Sequence, residues 1–177
     1  MKNDFLIHKE AVLNFELLGA VRSGASFSPC RHWRYSLWRV WHPGRPRVAF
    51  IGLNPSTADE MVDDPTVRRC INYAKSWNFG GMYMLNIFGV RATDPKEMLM
   101  DSNPVGDMND DYIIDEIEHA SRIVCCWGAH GKHLGRSAKI IEMLSDKKLF
   151  CFGLTKDGEP KHPLYLSKEL IPVPFNR

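Results

Sequence analysis

Apolar runs of six or seven residues, each followed by small or polar residues, recur along the chain from residue 47 onward. Runs that stay apolar at consecutive positions are typical of strands covered on both faces of a sheet. The predicted strands occupy residues 47–53, 82–88, 122–127 and 149–154.

Segments with helical spacing of apolar residues separate these strands and predict helices near residues 65–77, 108–120 and 132–145. The pair Asp64-Pro65 marks the start of the first helix, with an acidic cap followed by proline at the first helical position. Strands that alternate with helices of this length predict a parallel sheet with helices packed against it.

Residues 25–41 differ, because large and polar side chains alternate there and aromatic residues are frequent, as in antiparallel strands. The predicted fold class is therefore α/β: a three-layer α/β/α sandwich with a central, mainly parallel four-stranded sheet and an N-terminal antiparallel strand extension. We expect a single domain over residues 1–177, with the extension and edge strands in 1–46 and the α/β/α core in 47–177.

The composition, 44% hydrophobic and 25% charged, is that of a folded domain. No apolar stretch approaches the ~20 residues of a membrane helix. The N-terminus, where Asp4 and Glu10 flank a short apolar run, does not resemble a signal peptide. The five cysteines lack C-x-x-C spacing, so we expect reduced thiols and neither a zinc site nor an iron–sulfur cluster. These features predict a cytoplasmic protein with no membrane partner and no cofactor.

The formal net charge of +2 is too small to indicate a nucleic-acid binder by itself. Arginines nevertheless cluster before the strand at 47–53, and such residues alternating along a strand usually form a solvated face. The cluster comprises Arg31, Arg34, Arg39, Arg45 and Arg47.

Polar or small residues follow each predicted strand at points that a parallel sheet brings to one edge. Asn54 follows the first strand, Asn86 lies near the end of the second, Trp127-Gly128 ends the third, and His162 comes shortly after the fourth. A single asparagine at such a place is usually a turn former. Because open α/β sheets bind ligands at the carboxyl ends of their strands, the convergence of four such ends favours a ligand site.

Nearly the whole chain, from about residue 24 to residue 175, resembles the bacterial and phage family known as domain of unknown function 1643. The family name implies no activity. The segments that carry the resemblance are Arg34-Tyr35-Ser36-Leu37, residues 53–59, Asp63-Asp64-Pro65-Thr66, residues 86–95, Trp127-Gly128 and His162-Pro163-Leu164-Tyr165.

A weaker resemblance is to the uracil-DNA glycosylase superfamily, whose members have a parallel sheet in an α/β/α sandwich. Gly52-Leu53-Asn54-Pro55 resembles the first motif of its mismatch-specific branch. Met84-Leu85-Asn86 resembles the strand whose asparagine reads the base. Residues 124–128 resemble the hydrophobic strand that ends in Trp-Gly, and His162-Pro163-Leu164 resembles the final His-Pro-Ser loop.

The resemblance implies binding of a nucleobase, a nucleotide or DNA, single-stranded or modified, with cleavage or processing of an N-glycosidic bond. Such cleavage needs a positioned water and donors to the departing base. Asn54 is predicted to orient the water, His162 to donate to the base, and Asn86 to hydrogen-bond the base edge. The other predicted substrate-binding residues are Gly52, Leu53, Pro55, Ser56, Phe88, Trp127, Gly128 and Tyr165, with Phe88 or Tyr165 as the stacking aromatic.

Two departures from the superfamily pattern limit the expected chemistry. Its most active branch has aspartate where this chain has Asn54, and Leu164 replaces the serine of the final loop. Slow or absent excision of ordinary uracil from duplex DNA is therefore expected. A non-catalytic nucleic-acid or nucleotide-binding module remains the alternative, and the sequence predicts no oligomeric state.

Three further motifs admit other interpretations. Gly128, Gly131 and Gly135 form a loop suited to phosphate, although neither nucleotide-binding fingerprint is present. His130 and His133 have metal-ligand spacing but are more simply surface histidines. The pair Asp63-Asp64 is more simply a helix cap than a metal or acid site, and Ser56 lacks the context of a serine nucleophile.

Overall fold

A computed structural model of the protein describes residues 22–176. Within that part of the chain, seven strands form one sheet in the order β1-β2-β4-β3-β5-β6-β7. The strands are β1 (Arg22–Phe27), β2 (Arg34–Val40), β3 (Arg47–Gly52), β4 (Gly81–Asn86), β5 (Arg122–Cys125), β6 (Leu149–Cys151) and β7 (Val173–Pro174).

The sheet is mixed. Strand β3 pairs in parallel with β4 and with β5, and β5 pairs in parallel with β6. Strands β1 and β2 pair antiparallel, as do β2 with β4 and β6 with β7. The predicted α/β class is confirmed, and so is the antiparallel pairing of the strands in residues 25–41.

Helices connect the inner strands. They are α1 (Pro65–Ser76), α2 (Pro95–Met100), α3 (Asn109–Glu118) and α4 (Arg136–Met143), and a 3₁₀ segment (Ala129–Gly135) precedes α4. Asp64 caps α1 as the sequence predicts, because its carboxylate accepts the Val67 N–H at 2.8 Å and proline follows it. Asp94 caps α2 in the same way through the Lys96 N–H.

The two faces of the sheet bury separate apolar clusters. Alternate residues of β3 enter them, with Ala49 and Ile51 on one face and Val48 and Phe50 on the other. Helices α3 and α4 cover the Ala49 face, and α1 covers the Val48 face. The ends of the inner strands are therefore fixed by packing on both sides.

Some element boundaries differ from the sequence expectation. The last of the three predicted helices, α4, begins at Arg136 and not near residue 132. Leu134 and Gly135 both have positive φ angles, which interrupt helical geometry. Helix α2 and the two-residue strand β7 were not predicted. Among residues 22–176, no helix is long and apolar enough to cross a bilayer. The assignment of residues 1–21 to the N-terminal extension, and the expectation of no signal peptide there, lie outside the described residues.

Candidate functional site

The carboxyl ends of β4, β3 and β5 lie side by side. Gly52 is in register with Asn86, the last residue of β4. Beyond the strands the pairing continues, since Ile87 N–H donates to the Gly52 carbonyl at 2.9 Å. On the other side of β3, Cys126 N–H donates to the Ile51 carbonyl at 2.8 Å. These bonds fix the backbone from which the predicted site residues extend.

Asn86 is the most constrained of those side chains, with only 2% of its surface exposed. Its Oδ1 accepts a hydrogen bond from Arg34 Nη2 at 3.0 Å. Arginine has donors only, so the atom facing it must be the amide oxygen. The Nδ2 group then lies beside Gly52, where an added Cβ would come within 3.0 Å of it. A buried amide of fixed orientation is the result.

Arg34 is itself buried, with 1% exposed, and joins the end of β4 to the loop that contains Ala58. Its Nη1 donates to the Ala58 carbonyl at 3.1 Å, while its Nε is buried without an acceptor in residues 22–176. Burial lowers the pKa of Arg34 to about 10, and the Asp64 carboxylate opposes that shift. The guanidinium remains cationic at neutral pH. The expectation of a solvated arginine face is therefore wrong at Arg34, and also at Arg39, which is 7% exposed and bonds Asp63.

His162 and Gly128 are neighbours, since a Cβ at Gly128 would lie 3.6 Å from His162 Cβ. His162 is exposed at the surface, but protein atoms remove part of the water around its ring. This desolvation lowers the pKa of His162, and the Asp64 carboxylate opposes the shift. Nδ1 accepts a long, 3.4 Å hydrogen bond from Leu164 N–H, which places the proton of the neutral ring on Nε2. Asp64 thus acts on both Arg34 and His162.

Asn54 uses its side chain within the loop. Its Nδ2 donates to the Pro55 carbonyl at 2.9 Å and to the Ala92 carbonyl at 2.8 Å. Both amide hydrogens are therefore occupied, as in an asparagine that shapes a turn. In the described part of the chain no hydrogen bond joins Asn54 to Asn86 or His162. Leu53, next to it, packs against the apolar cluster on the Ala49 face.

The three predicted aromatic residues have different environments. Phe88 is fully buried in the core, with its ring centroid 5.7 Å from that of His133. Trp127 is 1% exposed and donates through Nε1 to Glu159 at 2.6 Å. Tyr165 is 93% exposed and is the aromatic side chain of the three that is accessible for stacking.

The turn over residues 128–135 packs closely against Trp127 at Gly131. A Cβ at Gly131 would lie 2.1 Å from Trp127 Cδ1, so glycine is required for this close approach. Glu159, fully buried, accepts from Trp127 Nε1 and from Ser137 Oγ at 3.3 Å. Across residues 22–176, no three histidine, cysteine, aspartate or glutamate side chains gather in a way that would hold a metal ion.

Sequence reasoning missed the buried charged residues that organise the site. The sequence pattern predicts a solvated side chain for Arg34, and it gives no sign that Glu159 is buried. Arg136 is 2% exposed, donates to the Ile87 carbonyl at 2.6 Å and bonds Asp110. The sequence signal for Arg34 is its place in Arg34-Tyr35-Ser36-Leu37, one of the segments that carry the family resemblance.

The fold and the strand-end side chains define an α/β protein with a buried amide and a buried guanidinium at the sheet edge. A family model described as Protein of unknown function (DUF1643) matches residues 34–164, and the chain belongs to this family. The matched segment runs from Arg34 through Asn86 to just beyond His162. No curated protein and no solved structure matches the chain.

Proposed function

We propose that this protein binds a nucleobase or nucleotide at the carboxyl ends of β3, β4 and β5, with Asn86 reading the base. The observation that carries the proposal is the Arg34–Asn86 hydrogen bond, which fixes the orientation of a nearly inaccessible amide. A buried side chain held in this way is suited to discriminating between ligands, because a mismatched ligand leaves its polar atoms unpaired.

The orientation of Asn86 indicates which base edge fits. With Oδ1 engaged by Arg34, the Nδ2 group offers two N–H donors. Donors match the carbonyl oxygen O4 of uracil or thymine or O6 of guanine or hypoxanthine, and not the amino group that cytosine and adenine carry at the corresponding position. An unpaired buried donor costs about 1–3 kcal/mol, which corresponds to roughly tenfold or more in affinity.

We also propose the glycosylase-like sandwich as the finer description of the fold. In support, β4, β3, β5 and β6 are adjacent and pair in parallel, and helices pack on both faces of the sheet. A cytoplasmic location is proposed on the basis that all five cysteines are free thiols.

Cleavage of an N-glycosidic bond is the second candidate function, and the protonation state of the His162 ring favours it. A neutral imidazole with its proton on Nε2 can donate to charge that develops on a departing base. Asn54 is less suited to its proposed role, because both of its amide hydrogens are bound to carbonyls of the loop. Only its Oδ1 is then offered to a water.

Calorimetric titration tests the binding proposal. Uridine and inosine monophosphates should bind at least about tenfold more tightly than the cytidine and adenosine monophosphates. Asn86→Ala should weaken binding by about tenfold or more, whereas Asn72→Asp, at an exposed position of α1, is the control and should change nothing. A protein that binds none of the four nucleotides contradicts the proposal.

Cleavage is tested separately by incubating the protein with single-stranded and duplex DNA that contains uracil, mismatched or hypermodified bases. Free base and abasic sites are then measured. His162→Ala should lower turnover far more than affinity, because the imidazole acts mainly where charge develops. Binding without any base release favours the non-catalytic module.

A further inference from the structure

A groove of about 540 Å³ adjoins the loop that contains Asn54 and Pro55. Ala92 forms part of its wall and is joined to this loop on both sides, since its N–H donates to the Pro55 carbonyl and its carbonyl accepts from Asn54 Nδ2. The groove is therefore held against the loop that follows β3, one of the strands whose ends form the candidate base site. Three chain segments line it, contributing Arg31 and His32, Ser56 and Thr57, and Arg91, Ala92, Thr93 and Glu97.

Arg91 is the cation of this groove that lacks a carboxylate partner in residues 22–176. Arg31 pairs with Glu60 at 2.8 Å, and His32 bonds Asp101 at 2.9 Å. Arg91 donates instead to the Arg31 carbonyl at 3.3 Å, and its Nε is buried without an acceptor in the described chain. Its charge is thus not neutralised by a neighbouring acid.

The Arg91 side chain is nevertheless held in place. Its guanidinium lies 5.0 Å from the centroid of the Phe27 ring, within the range of a cation–π contact. A positioned guanidinium loses less conformational freedom on binding than a mobile one, so its hydrogen bonds contribute more to affinity. The guanidinium fork binds phosphate oxygens, like carboxylate oxygens, through two parallel hydrogen bonds.

Three hydroxyl-bearing residues also line the groove. Ser56 Oγ lies 3.4 Å from Thr93 Oγ1, and Thr57 is the next residue along. Serine and threonine hydroxyls commonly complete phosphate sites as donors. Glu97 is the opposing charge, because its carboxylate lines the groove and repels an anion.

We propose that this groove binds the phosphate group of the ligand whose base occupies the strand-end site, with Arg91 as its principal cation. The proposal rests on the proposed function for the placement of the base. It adds the ligand class, which is a phosphorylated nucleoside and not a free base. The phosphate belongs to a mononucleotide or to a nucleic-acid strand, and the chemistry at Arg91 is the same for both.

The test is a comparison of uridine, uridine monophosphate, a uridine trinucleotide and inorganic pyrophosphate by calorimetric titration at low salt. We expect the monophosphate to bind about tenfold or more tightly than uridine. Arg91→Gln should remove most of that advantage, and Glu97→Gln should increase it. Lys96 is exposed on the helix that also holds Glu97, and it lies outside the groove. Lys96→Gln removes its charge and should leave the advantage of the monophosphate intact. Thermal unfolding verifies that each variant is folded.

The outcomes distinguish this proposal from the base site. Uridine binding with no gain from phosphate overturns the groove and leaves the base site standing. Pyrophosphate binding that Arg91→Gln abolishes, without uridine binding, supports the groove and overturns the base site. Equal losses in Lys96→Gln and Arg91→Gln overturn a specific site. An Arg91-dependent gain of the trinucleotide over the monophosphate supports the groove and identifies a strand as the phosphate source.

Discussion

Replacement of Asn86 by aspartate separates the structural role of this residue from its proposed role as base reader. Aspartate has the same shape, and its carboxylate accepts the Arg34 hydrogen bond that Asn86 Oδ1 accepts at 3.0 Å. It has no N–H donors, so the group beside Gly52 changes from donor to acceptor. Alanine at the same position removes both the acceptor and the donors.

The two variants should differ in stability. Asn86→Ala leaves Arg34 Nη2 buried without its acceptor, at a cost of about 1–3 kcal/mol. For a chain of this size, a loss of about 2 kcal/mol lowers Tm by roughly 4–8 °C. In Asn86→Asp the attraction to the buried guanidinium offsets the desolvation of the carboxylate, so the free energy of unfolding should stay within about 1 kcal/mol of wild type.

The two variants should nevertheless bind equally poorly. Both lack the donors to a base carbonyl, so each should lose about tenfold or more in affinity for uridine and inosine nucleotides. Chemical denaturation and calorimetric titration measure the two properties on the same samples. Unchanged nucleotide affinity in Asn86→Asp would refute base reading, and a larger loss of stability in Asn86→Asp than in Asn86→Ala would refute the assigned orientation of the amide.

Three further predictions concern other parts of the molecule. Cys30 is exposed and its pKa is lowered by its Ser28 contact, so iodoacetamide should label Cys30 rapidly while the four buried thiols react only on unfolding, as measured by mass spectrometry. Because the pKa of His162 is lowered in the fold, the unfolded chain binds more protons as pH falls below about 6.5. The free energy of unfolding should therefore decrease on acidification. His162→Gln should make the difference between the free energies measured by urea titration at pH 7.5 and at pH 5 smaller, and an unchanged difference contradicts this. Trp127→Phe removes the donor to buried Glu159 and should cost about 1–3 kcal/mol; an unchanged urea midpoint would show that this bond contributes nothing.

Apolar runs located the inner strands but overestimated their lengths. Ile87 and Phe88 are fully buried, yet they follow the end of β4, and Trp127 follows the end of β5 in the same way. Apolarity reports burial and not strand pairing, so a run that continues into a buried loop lengthens the predicted strand. The cap at Asp64 was predictable because its partner, the Val67 N–H, is three residues away.

The charged residues of the site were not predictable, because their partners are distant in the chain. Arg34 meets Asn86 across 52 positions, and Trp127 meets Glu159 across 32. A local pattern gives an arginine in a strand no sign of such a partner, so a solvated face was the natural expectation. Asn54 shows the opposite case, since the turn-forming role that is usual for an asparagine at a strand end is the one its hydrogen bonds show.

The side-chain amide of Asn86 gives the most direct test of a base at the strand ends. In a nuclear magnetic resonance spectrum of the ¹⁵N-labelled protein, its Nδ2 signals are identified by their loss in Asn86→Asp. Addition of uridine or inosine monophosphate should shift these signals, and the shifts should give the same dissociation constant as the calorimetric titration. Cytidine monophosphate should shift them less. If a nucleotide saturates the protein while the Asn86 signals stay in place, the ligand binds elsewhere and the proposed site is wrong.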